Sequence, residues 1–273
     1  MKSRFGILIF GCGIFLVACQ LGLKTTMAPP PTMTAPPPMG LIPTVTPVAP
    51  TASPGVVTAL LATATPLPVV TATPDPNLGV GDVVYEDKLN GQSGWGWGYL
   101  EQDVATFSTA GGQLDAVMLK PNVGPRFSIS PDTLKIGDQQ VRVTARANLC
   151  YNLDEYGLMF RIGADPAGNY LGYVFKLNCA GAARVETLRG TSAEVLVDWT
   201  PGPAIVSGAP AENTLMVWMV KNQFHFYVND KYLVSLTDST FAEGFYGFYV
   251  RDRTNGGESV SFTNLVAKAV TLP

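Results

Sequence analysis

Phe224-His225-Phe226-Tyr227-Val228-Asn229-Asp230-Lys231-Tyr232-Leu233-Val234-Ser235-Leu236 is the stretch from which the rest of the chain is read. Phe224, Phe226 and Val228 alternate with His225 and Tyr227, the two-residue period of a strand with one buried face. Asn229-Asp230 then supplies residues that tolerate positive φ, and an apolar run resumes, so the stretch is a β-hairpin. Asn-Asp is a weaker turn former than Asn-Gly and leaves the turn type open. Working outward, Leu215–Val220 leads into the hairpin, and Phe245–Val250 and Ser259–Ala269 follow it. Upstream, short runs of the same kind fall at 83–89, 104–107, 113–119, 126–129, 140–149, 156–162, 170–177, 183–188 and 194–199. Gly, Pro, Asn and Asp separate them, and no segment carries a capped apolar stripe of period 3.6. About a dozen strands without crossover helices predict an all-β, antiparallel domain, and at this size a two-sheet sandwich.

Only residues 81–273 of the 273 read as globular. There, 15 Lys and Arg stand against 20 Asp and Glu, a net charge of −5 that offers nucleic acid no electrostatic attraction. At the other end, Lys2 and Arg4 precede an apolar run from Phe5 to Ala18, the layout of a secretory signal and too short for a comfortable membrane span. The run closes on Leu16-Val17-Ala18-Cys19, which resembles the lipobox of bacterial lipoproteins. That resemblance implies cleavage before Cys19, diacylglycerol on its thiol, and an extracytoplasmic protein held to the bacterial cell membrane. Ordinary secretion is the alternative. Residues 20–80 follow as a stalk of Pro, Thr, Ala, Val, Met and Gly, without a charge between Lys24 and Asp75. Proline removes amide donors and favours extended backbone, so this segment builds no core and acts as a semi-rigid tether, at roughly 3.1 Å per residue. Its Thr-Pro repeats also resemble O-glycosylated stalks.

Two cysteines, Cys150 and Cys179, remain in the globular part. In an exported protein they most simply pair with each other, one following a strand and one ending a strand at the same rim of a sheet; two separate buried thiols are the alternative. With a single histidine and no clustered cysteines there is no zinc pattern, and no Asp-rich loop has calcium-cage spacing, so a structural calcium ion stays unassigned and no cofactor is expected.

Four motifs carry a family resemblance: Tyr156-Gly157-Leu158-Met159-Phe160-Arg161, Asn169-Tyr170-Leu171-Gly172-Tyr173-Val174-Phe175, Phe226-Tyr227-Val228-Asn229-Asp230 and Gly244-Phe245-Tyr246-Gly247-Phe248-Tyr249-Val250. In sequence they resemble successive strands of the concanavalin A-like lectin and glucanase jelly rolls, in particular laminin G-like and 3-keto-disaccharide hydrolase-like members. The resemblance implies a jelly-roll sandwich and either sugar binding or sugar hydrolysis. Hydrolytic members carry a Glu-x-Asp-x-x-Glu strand, because retaining hydrolysis needs two carboxyl groups about 5 Å apart. No such strand occurs here. Asp154 and Glu155 are adjacent and would point to opposite faces. A nucleophilic triad would have to rest on His225 with Ser235 or Ser261 as arbitrary partners, and the glycines at 94, 96 and 98 lack the helix a phosphate loop requires.

Sugar recognition combines aromatic faces with Arg, Asn and Asp donors and acceptors in a preformed cleft. Strand alternation places Arg142, Thr144 and Arg146 opposite inward Val141, Val143 and Ala145, and Arg161 opposite Phe160. The candidate carbohydrate-binding residues are Arg142, Arg146, Arg161, Tyr170, Trp218, His225, Tyr227 and Arg251, on an outward, concave face. At least two of Trp95, Trp97 and Trp199 are expected to pack in the core. The expected protein is a lipid-anchored head that binds carbohydrate or a surface polymer without catalysis. A glycoside or 3-keto-disaccharide hydrolase, or a protein-binding adhesion head, are the alternatives.

Overall fold

The computed structural model describes residues 72–91, 95–97, 103–131, 137–254 and 256–272. Cys19, the leader, the stalk up to residue 71, and Gly94, Gly98 and Tyr99 lie outside the described residues. The strands, in chain order, are β1 (Val80–Asp87), β2 (Gly96–Trp97), β3 (Ala105–Ala110), β4 (Gln113–Met118) and β5 (Arg126–Ile129). Next come β6 (Gln139–Leu149), β7 (Glu155–Ala164), β8 (Tyr170–Asn178), β9 (Ala182–Arg189) and β10 (Ser192–Pro201). β11 (Ala211–Val220), β12 (Gln223–Val228), β13 (Lys231–Thr237), β14 (Phe245–Arg251) and β15 (Ser259–Val270) complete the set, with no helix among the described residues.

These strands form two antiparallel sheets. One, of eight strands, runs β13-β12-β11-β6-β15-β4-β3, and β1 pairs with the second half of β15 beyond the reach of β4. The other, of seven, runs β10-β9-β8-β7-β14-β5-β2. Between them lies the core: Val141, Val143, Phe224 and Phe226 from the first sheet meet Leu158, Phe160, Phe175 and Phe248 from the second. Phe160 stands 5.9 and 6.1 Å from the rings of Phe224 and Phe226, and Phe248 stacks on Phe262 at 4.4 Å. The opening hairpin is β12–β13, and Asn229 and Asp230 have φ of 50° and 62°. Positive φ at both central residues belongs to the type I′ family, whose twist matches that of the flanking strands.

Cys150 and Cys179 are disulfide-bonded with their Cα atoms 6.0 Å apart. Cys150 follows β6 of the eight-stranded sheet and Cys179 follows β8 of the seven-stranded one, so the bond ties one sheet to the other rather than two strands of a single rim. Packing also begins before residue 81. Gln140 Nε2 donates to the Pro76 carbonyl at 2.7 Å, Trp218 Nε1 to that of Leu78 at 2.9 Å, and the Tyr227 hydroxyl to that of Pro74 at 3.0 Å. The 74–78 segment thereby crosses the outer face of the eight-stranded sheet over β6, β11 and β12.

Candidate functional site

The outer face of the seven-stranded sheet carries the densest set of charged and aromatic groups. Lys176, in the apolar run Val174-Phe175-Lys176-Leu177, lies between Gly157 of β7 and Arg184 of β9. Its Nζ is 2.8 Å from Glu155 Oε2 and 2.7 Å from Glu186 Oε2, each carboxylate reaching it diagonally from a neighbouring strand. A Cβ on Gly157 would come within 2.2 Å of the Phe175 carbonyl oxygen, so only glycine permits this approach of β7 to β8. Glu155 also accepts from the Tyr249 hydroxyl at 3.0 Å and from Arg253 Nε, while Arg184 Nε lies 2.9 Å from Glu186. Burial pushes the Glu155 carboxyl up, but the charge and hydrogen bond of Lys176, with Arg253 and Tyr249 behind them, outweigh it and hold the group below the usual carboxylate range. Tyr249 and Trp199 wall the ammonium, with ring centroids 5.0 and 5.6 Å from Nζ, and Trp199 is half-buried at the edge.

Beside this cluster, Gly124–Phe127, the Gly190-Thr191 turn between β9 and β10, and Arg251 of β14 line a cavity of about 190 Å³. β9 and β5 are separated by three strands. On a flat sheet that is roughly 19 Å at about 4.8 Å per strand. The cavity is nonetheless shared, because the Gly190-Thr191 turn and the Gly124–Phe127 segment approach each other over that face. Phe127 meets Tyr170 edge-on at 5.7 Å, closing one wall.

Of the candidates predicted from sequence, Tyr170 and Arg251 are brought together on this face. Arg142, Arg146, Trp218, His225 and Tyr227 lie on the outer side of the eight-stranded sheet instead. Alternation along a strand tells inside from outside but not which of two sheets a residue decorates. Within that second group Trp218 and Tyr227 are each 1% exposed, buried beneath the 74–78 segment rather than open to a ligand. Arg142 pairs with Asp230, and Arg146 is exposed. Arg161 departs furthest from expectation. Its φ of 50° lies in a register shift of β7 that breaks the alternation, and the side chain is 1% exposed. The guanidinium donates to the carbonyls of Lys221 at 2.7 Å, Phe241 at 3.0 Å and Gly137 at 3.3 Å, clamping three loops at one end of the sandwich.

Sequence reasoning passed over Lys176, Glu186 and Arg126, and weighed Glu155 only as the strand neighbour of Asp154. A lysine embedded in an apolar strand was the available signal, since such a charge must find carboxylates on adjacent strands. Trp95 does pack in the core, stacked on Phe248 at 4.6 Å, whereas Trp199 lies on the outer face.

His225 Nδ1 lies 2.6 Å from Ser235 Oγ, its direct cross-strand partner, and stacks on Trp218. Burial pushes the imidazole down, Ser235 Oγ is shared with the Tyr232 hydroxyl at 3.0 Å, and among the described residues no carboxylate is hydrogen-bonded to the imidazole as a triad requires. Among the described residues no group of three His, Cys, Asp or Glu is placed to hold a metal ion. Glu258 is buried beside Asp154, Asp252 and Glu155, and among the described residues its oxygens lack a hydrogen bond of good geometry, with some lowering from the Arg251 backbone amide. Desolvation first, and those three carboxylates next, push its carboxyl well above the usual range.

No family model matches the sequence, and no curated protein does. Solved structures share the fold. A carbohydrate-binding module, CBM66, from Bacillus subtilis aligns with a TM-score of 0.50 and 18% identity, over 65% of this chain and 96% of that one. A beta-glucanase from Bacillus licheniformis aligns at 0.50 and 12% identity, over 70% and 99%. A beta-1,3-1,4-glucanase (lichenase) derived from a mouse hindgut metagenome aligns at 0.52 and 7% identity, over 68% and 99%. The described domain thus shares the two-sheet, antiparallel jelly-roll fold of these structures.

Proposed function

We propose that this protein is a lipid-anchored, extracytoplasmic carbohydrate-binding protein, and that the outer side of its seven-stranded sheet, at the cavity beside Trp199, is the binding surface. Support comes from the fold it shares with a carbohydrate-binding module and with glucanases, from the half-buried Trp199 at the edge of that face, and from the cavity beside it lined by Arg126, Thr191 and Arg251. The observation that favours binding over hydrolysis is the position of Lys176. Retaining glycosidases hold two carboxyl groups about 5 Å apart, one of them protonated, with the glycosidic bond between. Glu155 and Glu186 approach each other closely enough, but a single ammonium bridges them at 2.8 and 2.7 Å. Both carboxylates are thus committed to one ammonium, and the lysine fills the space where the bond to be cleaved would lie.

Anchoring rests on Leu16-Val17-Ala18-Cys19 and on the charge-free stalk, which would hold the head away from the membrane. The test is to present the purified chain with a panel of oligosaccharides and polysaccharides, measuring retention on each and release of reducing ends. Retention without release is expected; steady production of reducing ends would establish the hydrolase instead. Detergent-free membranes should retain the wild-type chain and release Cys19→Ser.

A further inference from the structure

Resting on that reading of the face, we propose that the cavity between Arg251 and Arg126 takes a sugar residue bearing an oxyanion, either the carboxylate of a uronic acid or a sulfate ester. Arg251 has no ion pair and no side-chain hydrogen bond among the described residues, and its Nε is shielded from solvent. Its neighbour across the β14–β7 ladder is Glu155. That carboxylate is already used by Lys176, Tyr249 and Arg253. That carboxylate is therefore committed to other groups, and the Arg251 guanidinium, with five donors, lines the cavity without an acceptor of its own among the described residues. Across the space, Arg126 Nη1 donates to the carbonyls of Gly124 and Pro125, both at 3.0 Å, which holds that side chain in the wall.

Planar guanidinium groups match the paired oxygens of carboxylate and sulfate, and a partly desolvated one gains more from an anion than an exposed one does. The chain as a whole carries a net charge of −3, so an oxyanion bound here would owe its place to the Arg251 guanidinium and not to general basicity. Pro125 and Phe127 supply an apolar floor for the ring of a sugar, with Phe127 braced by Tyr170. At about 190 Å³ the cavity is below the roughly 300 to 1,000 Å³ of sites that engulf larger ligands, which suits one residue of a polymer lying along the face.

The test compares binding of the full chain to polygalacturonate, a sulfated galactan and a neutral β-glucan, each between roughly 20 and 300 mM salt. Two variants accompany it: Arg251→Gln, and Thr191→Glu, which places a carboxylate on the exposed turn at the cavity mouth. At least one anionic polymer should bind about tenfold tighter than the neutral glucan, weaken with salt, and lose about tenfold in each variant. Which anionic polymer responds identifies the oxyanion. Should Arg251→Gln fail to fold, Thr191→Glu decides alone. Undiminished anionic binding in Thr191→Glu, or neutral glucan bound as tightly as both anionic polymers, would overturn the proposal. Binding of neutral glycans alone would overturn it while leaving the carbohydrate reading intact, and binding of none would remove both.

Discussion

Lys176 Nζ lies 2.8 Å from Glu155 Oε2, and the two side chains are 2% and 1% exposed. Two charges so placed are costly to desolvate and are tolerable only because each has further partners: Glu186 for the lysine, Tyr249 and Arg253 for the glutamate. Lys176→Met keeps the volume and removes the buried ammonium that the two carboxylates share, leaving Glu155 with Tyr249 and Arg253 and Glu186 with Arg184. It is expected to cost roughly 3–5 kcal/mol, read as a fall in the urea midpoint at neutral pH. A cost near zero would show that the network is exposed to water.

Two buried carboxyls shape the pH dependence in opposite directions. Glu155 titrates lower in the folded protein than in the unfolded chain, so the stability it contributes is present above the unfolded value and is lost as pH falls through the folded one. Glu155→Gln should therefore flatten the acid limb of the stability curve. Glu258 titrates higher when folded, so the fold keeps a proton that the unfolded chain releases, and stability declines as pH rises from the ordinary carboxylate range toward the folded value. At pH near 8, outside both ordinary carboxylate transitions, Glu258→Gln should have a higher denaturation midpoint than wild type. An unchanged midpoint would mean that Glu258 ionises freely in place.

Arg161 is a clamp and not a ligand residue. Arg161→Met leaves three carbonyls without their donor and should destabilise the protein by roughly 2–4 kcal/mol. Glycan affinity of the folded fraction should be unchanged in the same experiment. A selective loss of affinity at constant stability would return Arg161 to the binding surface.

The disulfide closes a loop with a sequence separation of 29 and joins the two sheets. Replacing both Cys150 and Cys179 by alanine should cost roughly 3–4 kcal/mol, measured by equilibrium denaturation, and reductant should lower the wild-type midpoint to about that of the variant. Insensitivity to reductant would contradict the pairing.

Much of the fold was legible in the chain because strand patterning is local. The run expected at 126–129 coincides with β5, that at 140–149 with all but the first residue of β6, and the hairpin turns at Asn229-Asp230. The site was less legible for two physical reasons. Alternation cannot assign a side chain to one of two sheets, which is why Arg142 and His225 were grouped with Tyr170 although they lie on the opposite outer face. Long-range cover is equally invisible. Nothing near Trp218 or Tyr227 in sequence indicates that Leu78 and Pro74, some 140 and 153 residues away, lie across them. Arg161 failed through a single residue of positive φ that turned its side chain out of the expected phase.

Calorimetric titration of the best-retained glycan into wild type, Trp199→Ala and Arg146→Ala tests the central claim, since the first substitution removes an aromatic from the seven-stranded sheet and the second alters only the opposite face. Loss of a stacking aromatic should weaken binding by about tenfold or more, with Arg146→Ala indistinguishable from wild type. Binding that survives Trp199→Ala and disappears in Arg146→Ala would place the ligand on the other sheet and contradict the account.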